Sequence, residues 1–346
     1  MMRQITKYNF CTLFDSYYLS RGINLYNSLE KHCIDFHLYI FAFDDNSYNT
    51  LVNLCLKNAT IIPLIDFETD ELLSVKSKRT ISEYCWTCTA STISYSIEKF
   101  NLSHCTYLDA DMMFFTSLDA IFDEIGDASV ALTPHNFTSD LKQEEVYGKY
   151  CVQFVFFKND EDGLMALNWW KQSCIDWCYA ILEDNKYGDQ KYLNFLSEKF
   201  SKVIDINNIG VGVAPWNINR FNISRDENKF LLEEKTKNNF QYPLIFFHYQ
   251  GLEFTEFDNY IKAQASTIKT PNYILELIYT PYIENILQIN SELKTEKYEN
   301  KVIEYRRTIT TIVFRLIKKN IKKSRYLTNL FSKFKIFRFK KHKNIG

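Results

Sequence analysis

The sequence TYLDADMMFF at residues 106–115 places two aspartates, one residue apart, inside an apolar run. The run is typical of a β-strand, whose side chains alternate between two faces, so Asp109 and Asp111 are expected to project to the same side. Two neighbouring carboxylates repel each other unless a cation lies near them. A hard divalent ion takes oxygen ligands from one or two carboxylates and from substrate phosphates. The spacing therefore predicts a Mg²⁺ or Mn²⁺ site for a ligand that carries a diphosphate.

The residues that flank this pair strengthen the prediction. An Asp-x-Asp pair by itself can equally mark a solvated turn or a strand end. Here Tyr107-Leu108 precede it and the apolar residues 112–115 follow it. This context indicates that the carboxylates lie on the rim of a buried sheet, where a charged group usually has a function.

Apolar strand-like runs alternate with amphipathic helical stretches over the first 255 residues, which predicts an α/β fold with a largely parallel central sheet. Strands are expected at residues 10–14, 36–43, 59–64 and 203–206, and helices at 18–31, 82–100 and 190–200. Ligands of open α/β sheets bind beyond the carboxyl ends of the strands. The aspartates that follow such ends are expected to share one crevice, and they are Asp15, Asp44, Asp109 and Asp111.

Four segments of the chain resemble glycosyltransferases of the GT-A fold, close to the family-8 type and to nucleotide-diphospho-sugar transferases of bacterial surface-polysaccharide clusters. They are TLFDSYYL at 12–19, YLDAD at 107–111, GDQKYL at 188–193 and FFHYQG at 246–251. The likeness covers residues 8 to about 252. It implies a Rossmann-like GT-A domain with a mostly parallel sheet flanked by helices.

The resemblance also implies roles for particular residues. In that family two aspartates and a late histidine hold a manganese ion between the donor phosphates, which carries over to Asp109, Asp111 and His248. A neutral imidazole after an apolar strand is a reasonable metal ligand on chemical grounds, although such a histidine can equally be a satisfied rim residue. Gln190 is expected to face the anomeric carbon and Asp189 to bind sugar hydroxyls. Asp189 also precedes an expected helix, so capping is a second, compatible role.

At the nucleoside end, the resemblance implies that Thr12 and Asp15 contact the base, with Tyr17 in the same segment and Asp44 near the nucleoside. Asp109 is expected to touch the nucleotide as well as the metal. Arg79 occupies the place of a basic donor contact, but a Lys-Arg pair in a polar loop can also be simply solvated.

Two features depart from the family pattern. The family's histidine segment commonly continues into a lysine that touches the diphosphate, whereas here residues 252–254 read LEF. The second phosphate contact is therefore unassigned, with Lys191 or a lysine of the carboxyl-terminal tail as candidates. The turn-rich sequence GVGVAPWN at 210–217 matches no nucleotide-binding fingerprint and is expected to wall the sugar or acceptor pocket.

Composition limits the class of protein. The chain has 346 residues, 46% of them hydrophobic and 16% aromatic, which suffices for a globular core and up to two domains. No apolar run approaches the roughly 20 residues of a membrane-spanning helix, and the amino terminus lacks the apolar segment of a signal peptide, so a cytoplasmic location is expected. Nine cysteines then indicate reduced thiols. The pairs Cys85/Cys88 and Cys174/Cys178 lack partners at zinc-finger spacing.

Charge is distributed unevenly along the chain. Residues 301–343 contain fifteen Lys and Arg against one acid, a local charge of +14. Because the whole chain has a net charge of −1, residues 1–300 carry −15. Apolar residues recur there at three- and four-residue steps, which predicts one or two basic amphipathic helices lying on an anionic membrane. A helix packed on the catalytic domain is the alternative. Nucleic acid is not expected as a partner, because no recognition motif accompanies the charge.

These features together predict a metal-dependent glycosyltransferase of surface-polysaccharide biosynthesis. A GT-A catalytic domain is expected at 1–255 and a helical extension at 256–346, whose basic tail begins near residue 301. The donor would be a nucleoside diphosphate sugar, with UDP as the expected carrier, and the acceptor a glycan or lipid-linked glycan such as lipopolysaccharide or capsule. The protein would lie peripherally on the inner face of the cell membrane. No residue stands out as an inverting general base, which favours retention.

Two other functions account for less of the sequence. A sugar nucleotidyltransferase would need a strand-to-helix loop rich in glycine and lysine near the amino terminus, and none is present. A non-catalytic, membrane-docked scaffold on a transferase fold has no need of Asp109, Asp111, His248 and Gln190, all of which the sequence retains.

Overall fold

A computed structural model describes residues 8–138, 143–227, 229–236, 240–257, 260–264, 270–293 and 337–340. The chain divides into two compact units, Met1–His248 and Tyr249–Gly346. The division after residue 255 that the sequence suggests stays a prediction.

The first unit alternates strands and helices along most of its length. Its strands are β1 (Tyr8–Phe14), β2 (Phe36–Ala42), β3 (Ala59–Pro63), β4 (His104–Leu108), β5 (Met112–Phe114), β6 (Val130–Pro134), β7 (Tyr150–Lys158), β8 (Val203–Asp205), β9 (Phe221–Asp226), β10 (Lys229–Glu234), β11 (Gln241–Pro243) and β12 (Phe246–His248). Its α-helices are α1 (Leu19–His32), α2 (Asp45–Leu54), α3 (Leu64–Phe67), α4 (Asp70–Lys76), α5 (Ile81–Phe100), α6 (Asp119–Ile125), α7 (Glu144–Tyr147), α8 (Glu161–Asp176) and α9 (Leu196–Lys199). Two 3-10 helices cover Gln190–Phe195 and Ile218–Arg220.

Seven strands form the central sheet in the order β3-β2-β1-β4-β7-β6-β8. The pairs β3-β2, β2-β1, β1-β4 and β6-β8 are parallel, whereas β7 is antiparallel to both of its neighbours. The predicted α/β architecture with a mostly parallel sheet is therefore confirmed. Two smaller sheets accompany it, the pair β12-β5 and the meander β11-β10-β9.

Helices and the β12-β5 pair cover the two faces of the sheet, as the period-2 alternation of buried strands requires. In β1, Cys11 and Leu13 belong to the apolar cluster under α5 and α8. The opposite face packs on aromatic rings: Phe246 of β12 lies 5.8 Å from Phe154 and 5.5 Å from Phe114, measured between ring centroids. The site residues at the ends of β1 and β4 thus stand on a framework that is packed from both sides.

Glycine at position 22 lets α1 lie directly on β1. A Cβ atom at this position would come within 2.2 Å of the Phe14 ring, so no larger residue fits without displacing it. The close approach fixes the start of α1 next to the carboxyl end of β1.

Most of the predicted elements of the first unit agree with the structure, with ends that differ by one or two residues. The helix predicted over 190–200 is instead a 3-10 helix followed by the short α9. The meander β9–β11 and the antiparallel β7 had no counterpart in the sequence-based prediction.

The second unit contains both strands and helices in its described residues. Strands β13 (Glu253–Phe257), β14 (Tyr260–Gln264) and β15 (Phe337–Lys340) form an antiparallel sheet, and the helical segment runs through α10 (Asn272–Ile274), a π-helical turn (Leu275–Tyr279) and α11 (Thr280–Glu292). The predicted extension is thus helical over 272–292, whereas the hairpin of β13 and β14 was not predicted. Apart from β15, the basic tail lies outside the described residues. Across the described part of the chain, none of the helices combines the length and apolarity needed to cross a bilayer.

Candidate functional site

The two aspartates of the Asp-x-Asp pair lie in a turn between two strands. Strand β4 ends at Leu108 and β5 begins at Met112. Both aspartates therefore follow a strand end, as expected, but the strand alternation that was expected to align their side chains does not extend to them. The backbone N–H of Asp109 still donates to the carbonyl of Gln153 (3.1 Å), after which the chain leaves the central sheet to pair with β12. The change of sheet, and not strand pleating, sets where the two side chains point.

His248 brings the two carboxylates together. In the β12-β5 pair it lies opposite Met112, directly after Asp111. Its Nε2–H donates to Oδ1 of Asp111 at 3.0 Å and lies 3.6 Å from Oδ2 of Asp109. Both His248 and Asp111 are buried, and Asp109 is partly exposed. The three residues predicted as metal ligands therefore meet at one point.

The charges of these three groups depend on one another. Burial raises the pKa of Asp109 to about 6, an effect that the charge of His248 opposes and that of Asp111 reinforces. Burial also acts to raise the pKa of Asp111, but the charge and hydrogen bond of His248, together with Arg21, outweigh it and lower that pKa. For His248, burial acts to lower the pKa, while Asp111 and Asp109 hold it well above its usual value. A divalent cation can replace the ring proton as the charge between the carboxylates, so these residues fit a metal ion.

Cys151 is a further potential ligand that sequence reasoning missed. Its sulfur, a carboxylate oxygen of Asp109 and a ring nitrogen of His248 all lie within 4.8 Å of one another. No spacing signal in the sequence could have found it, because Cys151 comes from the antiparallel strand β7, which was not predicted.

The segment after β1 is organised by aspartates. Oδ1 of Asp15 accepts hydrogen bonds from the backbone N–H groups of Tyr17 (3.0 Å) and Tyr18 (3.3 Å). Burial and the nearby charge of Asp44 raise the pKa of Asp15. Thr12 is fully buried, and its hydroxyl has no hydrogen-bond partner among the described residues. These groups lie at the carboxyl end of β1, as predicted.

Asp44 has a structural role that the sequence did not suggest. Its carboxylate caps α2 by accepting from the N–H of Ser47 (2.7 Å), and it also accepts from the N–H of Ser16 (2.7 Å). Asp44 therefore ties the segment after β1 to the start of α2. Its predicted place near the nucleoside stays a prediction.

Arg21 brings a positive charge to the metal end of the site. It is buried in the first turn of α1, and its guanidinium lies over the rings of Tyr18 (4.7 Å) and Tyr17 (5.3 Å), measured to the centroids. Its charge helps to lower the pKa of Asp111. Nothing in the sequence marks Arg21, because an arginine in a helix is usually solvated.

Asp189 is buried, and its side chain makes no capping hydrogen bond to the 3-10 helix that follows it. The capping role is therefore not observed. Burial raises the pKa of this carboxyl to about 7; a hydrogen bond with Thr89 opposes the shift, and the charge of Asp109 adds to it. The coupling to Asp109 connects the segment 188–193 to the Asp-x-Asp turn. Gln190 is the first residue of the 3-10 helix and is partly exposed.

Arg79 and Lys191 are engaged with the protein itself. The Arg79 guanidinium donates to the hydroxyl of Thr87 and to the carbonyl of Ile175 (2.6 Å), which joins α5 to the end of α8. The buried Lys191 ammonium donates to the carbonyl of Glu145 (2.5 Å). Arg79 stays a predicted donor contact. Lys191 already donates to the Glu145 carbonyl and is poorly placed to reach a phosphate at the same time.

The turn-rich segment 210–217 supports the histidine. The N–H of His248 donates to the carbonyl of Val213 (3.0 Å), and the indole of Trp216 meets the His248 ring edge-on with centroids 5.5 Å apart. Gly212 has a φ of +72°, and a Cβ there would lie 2.8 Å from Thr133, so the segment requires glycine at this point. The segment thus forms one wall of the candidate site.

The chain is similar to known proteins both in sequence and in structure. No protein-family model matches the chain. Two uncharacterized proteins of Bacillus subtilis (strain 168), YfnF and YfnD, are each 29% identical to it; the matches cover 83% and 84% of this chain and 95% and 92% of theirs.

Among solved structures, the chain is similar to the galactosyltransferase LgtC, determined with donor and acceptor sugar analogues, at 16% identity and a TM-score of 0.44 over 70% of this chain and 87% of that one. It is also similar to the glycosyltransferase GlyE of Streptococcus pneumoniae TIGR4, at 15% identity and a TM-score of 0.42 over 62% of this chain and 48% of GlyE. A third similar structure is the bifunctional WbbM, at 13% identity and a TM-score of 0.42 over 62% of this chain and 40% of that one. All three of these structures are glycosyltransferases, the class that the sequence motifs resemble.

Proposed function

We propose that this chain is a metal-dependent glycosyltransferase that moves a sugar from a nucleoside diphosphate sugar to a hydroxyl group of a glycan. The observation that carries the proposal is the convergence of two carboxylates on one buried imidazole, with oxygens of Asp111 and Asp109 at 3.0 and 3.6 Å from Nε2 of His248. Such a donor set at the end of a parallel strand suits a divalent ion that shares its shell with phosphate oxygens.

Asp109, Asp111 and His248 would hold the ion, Mn²⁺ or Mg²⁺ in the first instance. When bound, the ion supplies charge neutralisation for the diphosphate that leaves as the glycosidic bond breaks. Arg21 takes the role of the missing lysine, because its charge already acts on Asp111 and an arginine matches phosphate geometry.

The sugar end of the site is assigned to Asp189 and Gln190. The raised pKa of Asp189, about 7, lets this carboxyl keep a proton near neutral pH and donate it in a hydrogen bond to a sugar hydroxyl. Gln190 follows it at the start of the 3-10 helix and would face the anomeric carbon. The transfer is proposed to retain the anomeric configuration. Thr12, Asp15 and Tyr17 are proposed to contact the nucleobase of the donor.

The acceptor is proposed to be a surface glycan or its lipid-linked precursor, assembled at the inner face of the cell membrane. The proposal for the membrane rests on the sequence of residues 301–343, where fifteen basic residues alternate with apolar ones.

Donor hydrolysis without an acceptor tests the proposal. The full chain is incubated with a panel of nucleoside diphosphate sugars and Mn²⁺, and nucleoside diphosphate release is followed by chromatography. One sugar nucleotide should be cleaved, Asp111→Asn should abolish cleavage, and Arg21→Gln should slow it. Asp184→Asn is the control, because this carboxylate is 84% exposed. No cleavage of any donor, or equal cleavage by Asp111→Asn, would contradict the proposal.

A further inference from the structure

Cys151 lies beside two predicted metal ligands, an oxygen of Asp109 and a nitrogen of His248. A sulfur donor changes which metal ions a site can bind. The three donor atoms of Asp109, Cys151 and His248 lie within 4.8 Å of one another. Donors around a tetrahedral ion stand roughly 3.5 Å apart, given bond lengths of about 2.0 to 2.3 Å. Side-chain rotations that move these donor atoms by about 1 Å would bring them to that separation.

The local structure explains why Cys151 faces this site. Tyr150 and Val152 belong to the apolar cluster under α5 and α8, and so do Val155 and Phe157. Strict alternation cannot place all four on one face, and the pairing of β6 with β7 does shift in register, from Leu132↔Val155 to Thr133↔Cys151. The irregularity places Cys151 on the face opposite that cluster, where β5 and β12 pack.

Position alone would be compatible with a cysteine that merely fills space, as buried cysteines often do. However, Cys151 does not lie among apolar side chains only. Its sulfur lies within 4.8 Å of a carboxylate oxygen of Asp109 and of a ring nitrogen of His248. A thiol beside a carboxylate and an imidazole completes a donor set that is typical of metal sites.

We propose that Cys151 is a further, sulfur ligand of the ion that Asp109 and His248 hold, and that the site therefore also takes thiophilic divalent ions such as Zn²⁺ or Co²⁺. Thiolate ligands select such ions, whereas sites made only of carboxylates suit Mg²⁺ and Mn²⁺. On binding, the S–H bond breaks, the sulfur pair forms the bond to the metal, and the proton leaves to solvent. Asp111 completes the shell as a second oxygen ligand.

This inference rests on the proposed function only in that both use the same metal site. The two are separable by measurement. If nucleotide binding depends on metal but sulfur does not bind the ion, the inference fails and the proposed function stands. If sulfur binds the ion but no nucleoside diphosphate binds, the metal centre stands and the proposed function fails.

The test is cobalt substitution of the metal-stripped full chain. One equivalent of Co²⁺ should produce a sulfur-to-cobalt charge-transfer band in the near ultraviolet, and Cys151→Ser should lose the band. Cys55→Ser is the matched control, because Cys55 is an exposed free thiol and should leave the band unchanged. The Cys151→Ser variant should also bind Co²⁺ at least about tenfold more weakly, the lower end of what loss of an outer-shell partner costs. A band that persists in Cys151→Ser overturns the proposal.

A second measurement needs no variant and so does not depend on how Cys151→Ser folds. X-ray absorption at the zinc edge of the loaded, unmodified protein should show one sulfur at about 2.3 Å from the ion among nitrogen and oxygen ligands. A shell of nitrogen and oxygen only would contradict the assignment.

Discussion

At the scale of single residues, the candidate site is a set of buried charges whose protonation depends on their neighbours. The sequence indicated Asp109, Asp111 and His248 through motif and resemblance, and the structure brings them together. Arg21 and Cys151 could not be found in this way. Arg21 acts through its charge on Asp111, and Cys151 reaches the site through a register shift in β7. Neither leaves a spacing pattern in the sequence.

Asp189 gives a prediction about pH and stability. Its pKa is about 7 in the folded protein and near 3.8 in the unfolded chain, so between these values the folded state binds the extra proton. Stability should therefore fall as pH rises from about 4 to 7, with a slope of at most about 1.4 kcal/mol per pH unit from this group.

The measurement is the free energy of unfolding in denaturant across that pH range for metal-free protein. Asp189→Asn removes the titrating group but keeps the size of the side chain, so its curve should be flatter than that of the wild type. The other titrating groups are present in both proteins, so the difference between the curves reports Asp189 and its electrostatic interaction with Asp109. Parallel curves for the two proteins would show that Asp189 is not a buried acid.

At the scale of elements, the strands and long helices of the parallel half followed from periodicity alone, because each buries a regular apolar face. The aspartates were expected at the end of one apolar strand whose alternation aligns their side chains, but apolar flanks do not reveal that the chain changes sheets at that point. The antiparallel β7 and the meander β9–β11 depend on pairings between distant residues, which local pattern does not encode.

The contact between α1 and β1 gives the second prediction. Alanine at position 22 would improve helix propensity by up to about 1 kcal/mol, but its Cβ would come within 2.2 Å of the Phe14 ring. Gly22→Ala should therefore destabilise the protein by about 1 to 3 kcal/mol through overpacking.

A double-mutant cycle isolates this contact. In a Phe14→Leu background the ring is gone, and Gly22→Ala should cost less than it does in the wild type, with unfolding followed in denaturant. An alanine that stabilises the wild-type protein would mean that α1 does not lie as close to β1 as described.

At the scale of the whole molecule, the distribution of charge favours the proposed attachment to an anionic membrane surface. The basic residues of 301–343 stand against a net charge of −15 in the rest of the chain. This asymmetry could be counted directly from sequence, whereas the pairing of β15 with β14 could not, because it joins residues that are distant along the chain.

Vesicle binding tests the third prediction. The full chain should sediment with vesicles of anionic lipid and not with neutral ones, and added salt should weaken the binding because surface charges are screened. Truncation after residue 300 should abolish it. Equal binding to neutral vesicles would contradict an electrostatic attachment.

The central claim is that one metal-bound site receives a nucleoside diphosphate, and isothermal titration addresses it most directly. Purified protein is titrated with a panel of nucleoside diphosphates, with and without Mn²⁺, beside Asp111→Ala and the exposed control Asp184→Asn. One diphosphate should bind only when the metal is present, the control should behave as the wild type, and Asp111→Ala should show no binding. Absence of binding by every diphosphate under both conditions would contradict the claim and favour a non-catalytic scaffold on this fold.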